Sequence, residues 1–142
     1  MKPMFFCVAL VILAGAGQDA GKKELDKIQG EWTIHSLEVN GADVPVEKLD
    51  GTTLTVKGDS YVVKVKDRTF TCQVTLRPDR DPRELDILYL DGDKKDQTGK
   101  GIYQIDGEKL KICRGLNPDQ DRPRDFATLA GTGVFCVVWK KK

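Results

Sequence analysis

Hydrophobic and polar side chains alternate along most of the chain with a period of two residues. Val63 and Val65 share one side of a segment whose other side carries Lys64 and Lys66, and the same alternation recurs at 69–76 and 109–113. Because successive side chains of a strand point to opposite faces, this pattern predicts antiparallel strands that cover a core with one face.

Eight strand-like segments follow one another along the chain, and each ends near turn-forming Gly, Pro, Asn or Asp residues. They cover 32–39, 52–57, 61–66, 69–76, 85–90, 101–105, 110–113 and 134–140. Short links between successive strands favour an up-and-down meander, and closing it into a barrel removes the exposed sheet edges. We predict an all-β fold, an eight-stranded antiparallel up-and-down barrel, with a β-sandwich as the alternative.

The side chains predicted to face inward are large: Trp32, Leu54, Val56, Tyr61, Phe70, Leu76, Leu85, Ile87, Tyr103, Phe135, Val137 and Trp139. An eight-stranded barrel has an interior that side chains just fill or that holds one small ligand. This bulk in a short chain favours a filled interior. Tyr61, Phe70 and Tyr103 are the interior candidates for contact with a ligand.

Two predicted loops are longer than hairpin turns, at 41–51 and 116–132. The second loop contains Arg122, Arg124 and Phe126, which combine cations with an aromatic ring and form a candidate rim site for a ligand or a protein partner. The alternative is that Phe126 packs against the barrel and anchors the loop.

The first 16 residues have the pattern of a secretory signal peptide. Lys2 precedes an apolar run of about ten residues, and Ala14 and Ala16 stand at the −3 and −1 positions of a cleavage site. The run is shorter than the roughly 20 residues of a membrane-spanning helix. We therefore expect an exported chain without a membrane span after cleavage, with a signal peptide at 1–16, a mobile polar leader and short helical turn (24–29) at 17–29, and the barrel domain at 30–142.

Charge and cysteine content bear on partners and compartment. Loss of Lys2 leaves 22 of the 23 basic residues against 22 acidic ones, without a clustered basic face, so we expect no nucleic-acid partner. We also expect a monomer.

Of the three cysteines left after cleavage, Cys113 and Cys136 fall on the outward side of successive strands. We predict a disulfide between them, with Cys72 as a buried free thiol.

Two resemblances follow from short motifs. Gly30-Glu31-Trp32, at the start of the first strand, resembles the opening motif of lipocalins. That resemblance implies that Trp32 closes one end of the barrel under a basic residue of the last strand, here Lys140, while Gly30 permits close approach of the backbone. Over almost the whole mature chain, the sequence resembles an uncharacterised lipocalin-like domain family recurrent in exported planctomycete proteins. The segments that carry this second resemblance are 28–32, 36–41, 51–56, 101–103, 106–113, Arg122-Pro123 and Phe126.

Catalytic and metal-binding patterns are weak. His35 is the only histidine and is predicted to face outward, which excludes a multi-histidine metal site. The acidic segments 91–96 and 117–121 lack the glycine and glutamate positions of a calcium loop. We expect no cofactor and no metal.

Two function classes stay open: a binding protein for a small apolar or amphipathic molecule, and a solid barrel that contacts partners through its loops. An enzyme is the least favoured class.

Overall fold

The computed structural model describes residues 19–142. The expected signal peptide at 1–16 lies outside these residues. Within them, a helix over 19–27 (α1) precedes nine β-strands. The strands are β1 (Gly30–Val39), β2 (Ala42–Asp43), β3 (Thr53–Lys57), β4 (Ser60–Val65), β5 (Arg68–Arg77), β6 (Glu84–Tyr89), β7 (Thr98–Asp106), β8 (Lys109–Gly115) and β9 (Val134–Lys141), and a short 3-10 helix covers Val46–Leu49.

Eight of the strands form one closed antiparallel barrel. Strand β1 pairs with β3, the remaining strands pair in chain order through β9, and β9 returns to pair with β1. The two-residue strand β2 adds to the edge of β1. The predicted up-and-down barrel is confirmed and the sandwich alternative is wrong, because the β1–β9 ladder closes the sheet upon itself.

The inward face of the barrel follows the alternation of the sequence. Ten of the twelve side chains predicted to face inward are buried. The other two are Phe70, which is 39% exposed, and Phe135, which is half-buried. A bulge between Ile34 and Ser36 interrupts the pairing of β1 with β9, and His35 at this bulge is exposed.

Helix α1 packs across one end of the barrel, which we call the closed end. Residues 19–23 of the expected leader are helical, so the helical segment in the described chain is longer than the expected single turn. Ile28, which follows the helix, is 1% exposed, and Leu25 packs against the core. The buried Glu24 carboxylate accepts a hydrogen bond from the Tyr103 hydroxyl at 2.7 Å and pairs with Lys27 at 2.9 Å.

Trp32 lies buried at the closed end, and its indole N–H donates to the carbonyl of Ile28 at 2.9 Å. The cation above its ring is Lys141, 5.0 Å from the ring centroid, so the expectation for Lys140 is wrong. Trp139 faces the core, and alternation therefore turns Lys140 outward and Lys141 inward. Lys141 also lies 3.5 Å from where a β-carbon on Gly30 would stand, and Gly30 has a positive φ of 114°.

A second, smaller core lies on the outer face of the barrel. The disulfide joins Cys113 and Cys136, the pair expected from the sequence, across a cross-strand position with a Cα–Cα distance of 4.1 Å. Both cysteines are buried despite their outward orientation because they cluster with Ile102 under Phe126 of the long loop 116–133. Cys72 is free and buried, as expected. Within residues 19–142, no helix is long and apolar enough to span a bilayer.

Candidate functional site: the barrel cavity

The end opposite α1, which we call the mouth, opens into a cavity of about 480 Å³. Antiparallel pairing sends every second connection to this end: 40–52, 66–67, 90–97 and 116–133. Both predicted long loops are therefore at the mouth. They are tied together there, since the amide of Gly41 donates to the Thr128 hydroxyl at 3.1 Å and that hydroxyl donates to Glu38 of β1.

The cavity wall is mostly apolar. Its deeper part includes Tyr61, Cys72, Val137 and Trp139, and its outer part includes Val63, Val65, Phe70, Phe135 and Leu116. The prediction of a filled interior is wrong for the half of the barrel next to the mouth. In the other half, Leu54, Ile87 and Leu110 are almost completely buried.

Strand β7 contributes glycines, not bulky side chains, at two successive inward positions. A β-carbon on Gly99 would stand 3.0 Å from Nη1 of Arg114, and one on Gly101 would stand 2.8 Å from Cδ2 of Leu85. Both glycines lie inside β7, whereas the predicted strand 101–105 included Gly101 and left Gly99 outside. Their missing side chains leave space beside Arg114 that a larger residue would fill.

Arg114 of β8 points into the barrel and is half-buried. Its guanidinium carbon lies 4.8 Å from the ring centroid of Phe135 and 5.7 Å from that of Tyr89, and its Nη1 donates to the Tyr89 hydroxyl at 2.7 Å. Among residues 19–142, no carboxylate lies within ion-pair distance of this guanidinium. Its charge is thus stabilised by two aromatic rings and one hydroxyl acceptor, without a carboxylate in the described chain.

The other two cations of the lining lie near the mouth. Lys94 is half-buried, with its Nζ 5.8 Å from the ring centroid of Tyr89 and 3.3 Å from the Leu116 carbonyl, to which it donates. Lys48, on the 3-10 helix, is exposed. Among residues 19–142, no Asp or Glu lines the cavity. The charged side chains of this lining are therefore all cations.

Burial keeps the weak acids of the cavity wall protonated. It raises the pKa of the Cys72 thiol to about 11, although the charge of Arg114 acts in the opposite direction. Burial also raises the pKa of Tyr61, again against the opposing charge of Arg114. Trp139 is 3% exposed, and within the described chain its Nε1 has no hydrogen-bond acceptor.

The interior candidates of the sequence separate in the structure. Tyr61 and Phe70 both line the cavity, Tyr61 deep inside and Phe70 on the exposed side near the mouth. Tyr103 does not line it, because it lies at the closed end with its hydroxyl bound to Glu24. Tyr103 is therefore buried as predicted but does not line this cavity.

The candidate rim residues of the long loop hold the loop to the outside of the barrel. Nη1 of Arg122 donates to the carbonyls of Leu85 at 2.9 Å and Gly101 at 2.8 Å, and Nη2 donates to Asp86 at 2.8 Å. Phe126 packs on the outer cluster at the disulfide, and Lys111 lies 5.5 Å from its ring centroid. The rim assignment of Arg122 and Phe126 is therefore wrong, because their interacting groups are occupied by the barrel wall. Arg124 is exposed and is absent from the cavity lining.

Arg114 and Lys94 line the cavity but were not among the site residues predicted from the sequence. Leu110 and Ile112 share one side of the predicted strand 110–113, so the same alternation extended by one step places Arg114 inside the barrel. No periodic pattern predicts the position of Lys94, because it lies in the loop 90–97 and not in a strand.

Within residues 19–142, no group of three or more His, Cys, Asp or Glu side chains is placed to hold a metal ion. Comparisons of the chain with protein-family models, with curated proteins and with solved structures find no match. The geometry of the cavity is therefore the basis for the function proposed below.

Proposed function

We propose that this chain is an exported, non-catalytic binding protein that holds one small apolar or amphipathic molecule in the barrel cavity. The observation that carries the proposal is the apolar cavity itself. Its volume of about 480 Å³ lies within the roughly 300–1,000 Å³ of ordinary small-molecule sites. A cavity of this size opening at one end gives a ligand both an apolar wall and a path of entry.

The chemistry of the wall supports binding over catalysis. Cys72 is the thiol that the described residues place in the lining, and its raised pKa of about 11 makes it a poor nucleophile at neutral pH. His35, which would have to serve as its base, is exposed on the outer face and is not part of the lining. Export is supported by the pattern at 1–16 and by a disulfide of the kind that persists in oxidising compartments. Membership of the lipocalin-like family of exported planctomycete proteins is part of the same proposal.

Two neighbouring valines of β4 provide a matched test. Val63 lines the cavity, whereas Val62 lies on the opposite face of the strand. Val63→Phe inserts a ring into the cavity, and Val62→Phe adds the same atoms outside it. The probe is N-phenyl-naphthylamine, an uncharged dye whose fluorescence rises in apolar sites.

We expect the dye to bind the wild-type chain and the Val62→Phe variant with one site and similar affinity. The Val63→Phe variant should lose at least tenfold in affinity. Far-ultraviolet circular dichroism and urea unfolding verify that both variants are folded. A folded wild-type chain that binds no dye, or equal binding by the two variants, would contradict the proposal.

A second candidate is a protein-interaction module that acts through the mouth loops. The observation that favours it is the position of the exposed large apolar side chains among residues 19–142, since Val46, Phe70, Leu90, Leu116 and Leu129 all lie at the mouth end. This candidate predicts that Leu129→Ser abolishes capture of a partner from the host's exported proteins. Val63→Phe, inside the cavity, should leave that capture unchanged.

A further inference from the structure

The cavity wall carries positive charge, which a site for a purely apolar molecule does not require. Among residues 19–142, the charged residues that line the cavity are Lys48, Lys94 and Arg114, and all three are cations. Elsewhere on the molecule, half-buried arginines have carboxylate partners: Arg77 and Arg122 both contact Asp86 at 2.8 Å. Arg114 is half-buried like them but has no such partner within the described chain.

The structure around Arg114 fixes the guanidinium in one position. Phe135 and Tyr89 contact its faces, and the Tyr89 hydroxyl accepts from Nη1. Gly99 provides the space for Nη1, since a β-carbon there would stand only 3.0 Å away. The Nε and Nη2 donors have no partner among residues 19–142. A planar guanidinium with free, oriented donors is suited to bind a carboxylate through two parallel hydrogen bonds.

No negative group of the wall competes for that position. The pKa values of Cys72 and Tyr61 are raised by burial, so both side chains are neutral near pH 7. The deep Trp139 N–H is a donor as well, without an acceptor in the described chain. The polar groups of the cavity therefore favour a ligand that has hydrogen-bond acceptors and a negative charge. Such a ligand would compensate the charge of Arg114, because an unpaired charge in an apolar site costs free energy.

We propose that the molecule held in the cavity is an amphipathic carboxylic acid, whose carboxylate binds the guanidinium of Arg114 and whose apolar body packs against Val63, Val137 and Trp139. This inference rests on the proposed binding function and names the class of its ligand. Lys94 lines the cavity nearer the mouth and is its second half-buried cation.

The experiment compares two ligands that differ only in their head group, decanoate and decanol, by isothermal titration at pH 7. The wild-type chain should bind decanoate at least tenfold more tightly than decanol. A charge-assisted hydrogen-bonded pair corresponds to roughly a tenfold to hundredfold change in Kd. Arg114→Gln should remove this preference and leave the affinity for decanol within about threefold of wild type.

Lys109→Gln is the matched control, because Lys109 belongs to the same strand but is exposed on the outer face. It removes one positive charge and should leave the decanoate preference unchanged. Arg114→Lys keeps the charge without the planar fork and should show an intermediate preference. Circular dichroism identifies any variant that does not fold. If Arg114→Gln does not fold, the Arg114→Lys variant and the wild-type comparison decide the matter.

The outcomes separate this inference from the proposed function. Equal, measurable binding of decanoate and decanol by the wild-type chain would overturn the carboxylate inference and leave the cavity as a binding site. Absence of binding by decanol, decanoate and the uncharged dye would overturn both. An undiminished decanoate preference in folded Arg114→Gln or Arg114→Lys would overturn the assignment to Arg114.

Discussion

Removal of the disulfide offers a direct measure of what holds the long loop and the last two strands together. Cys113 and Cys136 are separated by 23 positions, and in the loop-entropy model a bridge of this span stabilises the fold by about 3.4 kcal/mol. Both side chains are buried in the outer cluster under Phe126, so their truncation also loses contacts. We expect the double variant Cys113→Ala/Cys136→Ala to unfold with a free energy about 3–5 kcal/mol lower than wild type.

Urea unfolding at 25 °C, followed by tryptophan fluorescence, measures this difference. For a chain of this size the midpoint should move by about 1–3 M urea. Wild type unfolded with dithiothreitol should approach the double variant. Cys72→Ala is the control, because it removes a buried thiol that closes no loop, and it should lose markedly less.

Two results would refute the reasoning. The first is a double variant within about 1 kcal/mol of wild type, which would mean that the bridge constrains little of the unfolded chain. The second is an equal number of reactive thiols in the unfolded chain with and without reductant. An intact disulfide predicts two more thiols after reduction.

Four further predictions concern the remaining structural groups. Trp32→Ala should lower the free energy of unfolding by about 3–5 kcal/mol in urea titrations, because it empties a site that is 1% exposed; a loss below 1 kcal/mol would show that α1 covers that end without it. Burial by itself would raise the pKa of Glu24, but hydrogen bonds from Tyr103 and Lys27 outweigh it and the folded pKa is lowered below 4.5. The stabilisation from Glu24 is therefore present above pH 4.5 and is lost as the pH falls through the lower folded value, so Glu24→Gln should flatten the acid limb of a stability–pH profile; an unchanged limb would contradict this. Arg122→Ala should cost about 1.5–3 kcal/mol and speed limited proteolysis of the long loop, and Arg122→Lys should rescue it only in part, whereas full rescue would mean that charge alone suffices. Mass spectrometry of the chain secreted by a suitable host should find a mature start directly after Ala16, and retention of the first 16 residues would refute cleavage there.

The strands and their antiparallel pairing follow from the local sequence pattern. A period of two places Tyr61 or Ile87 on the inner face wherever the strand lies in the sheet, and short turns leave antiparallel neighbours as the only partners within reach. The same local rule predicted the outward side of Cys113 and Cys136. Extended by one residue at each end, it also places Arg114 and Lys141 inside, where the sequence analysis named Lys140.

Three features depended on the tertiary structure. The volume of the cavity is set by side chains from all the strands together and by glycines at Gly99 and Gly101, which no single segment reveals. The outer core exists because Arg122 and Phe126 draw a long loop across the barrel wall, and loop paths lack the periodicity that makes strands predictable. The absence of a carboxylate beside Arg114, within the described chain, is likewise a property of eight strands brought together.

The sequence by itself determined an all-β antiparallel meander, the face that each strand buries and the pair of cysteines that meet, because alternation and turn chemistry act between near neighbours in the chain. Only the tertiary structure decided that the barrel is filled at the end near Trp32 and hollow near Arg114. The physical reason is that packing density and charge pairing depend on contacts between residues that are distant in the sequence. Which residues meet depends on the end of the barrel at which each side chain lies.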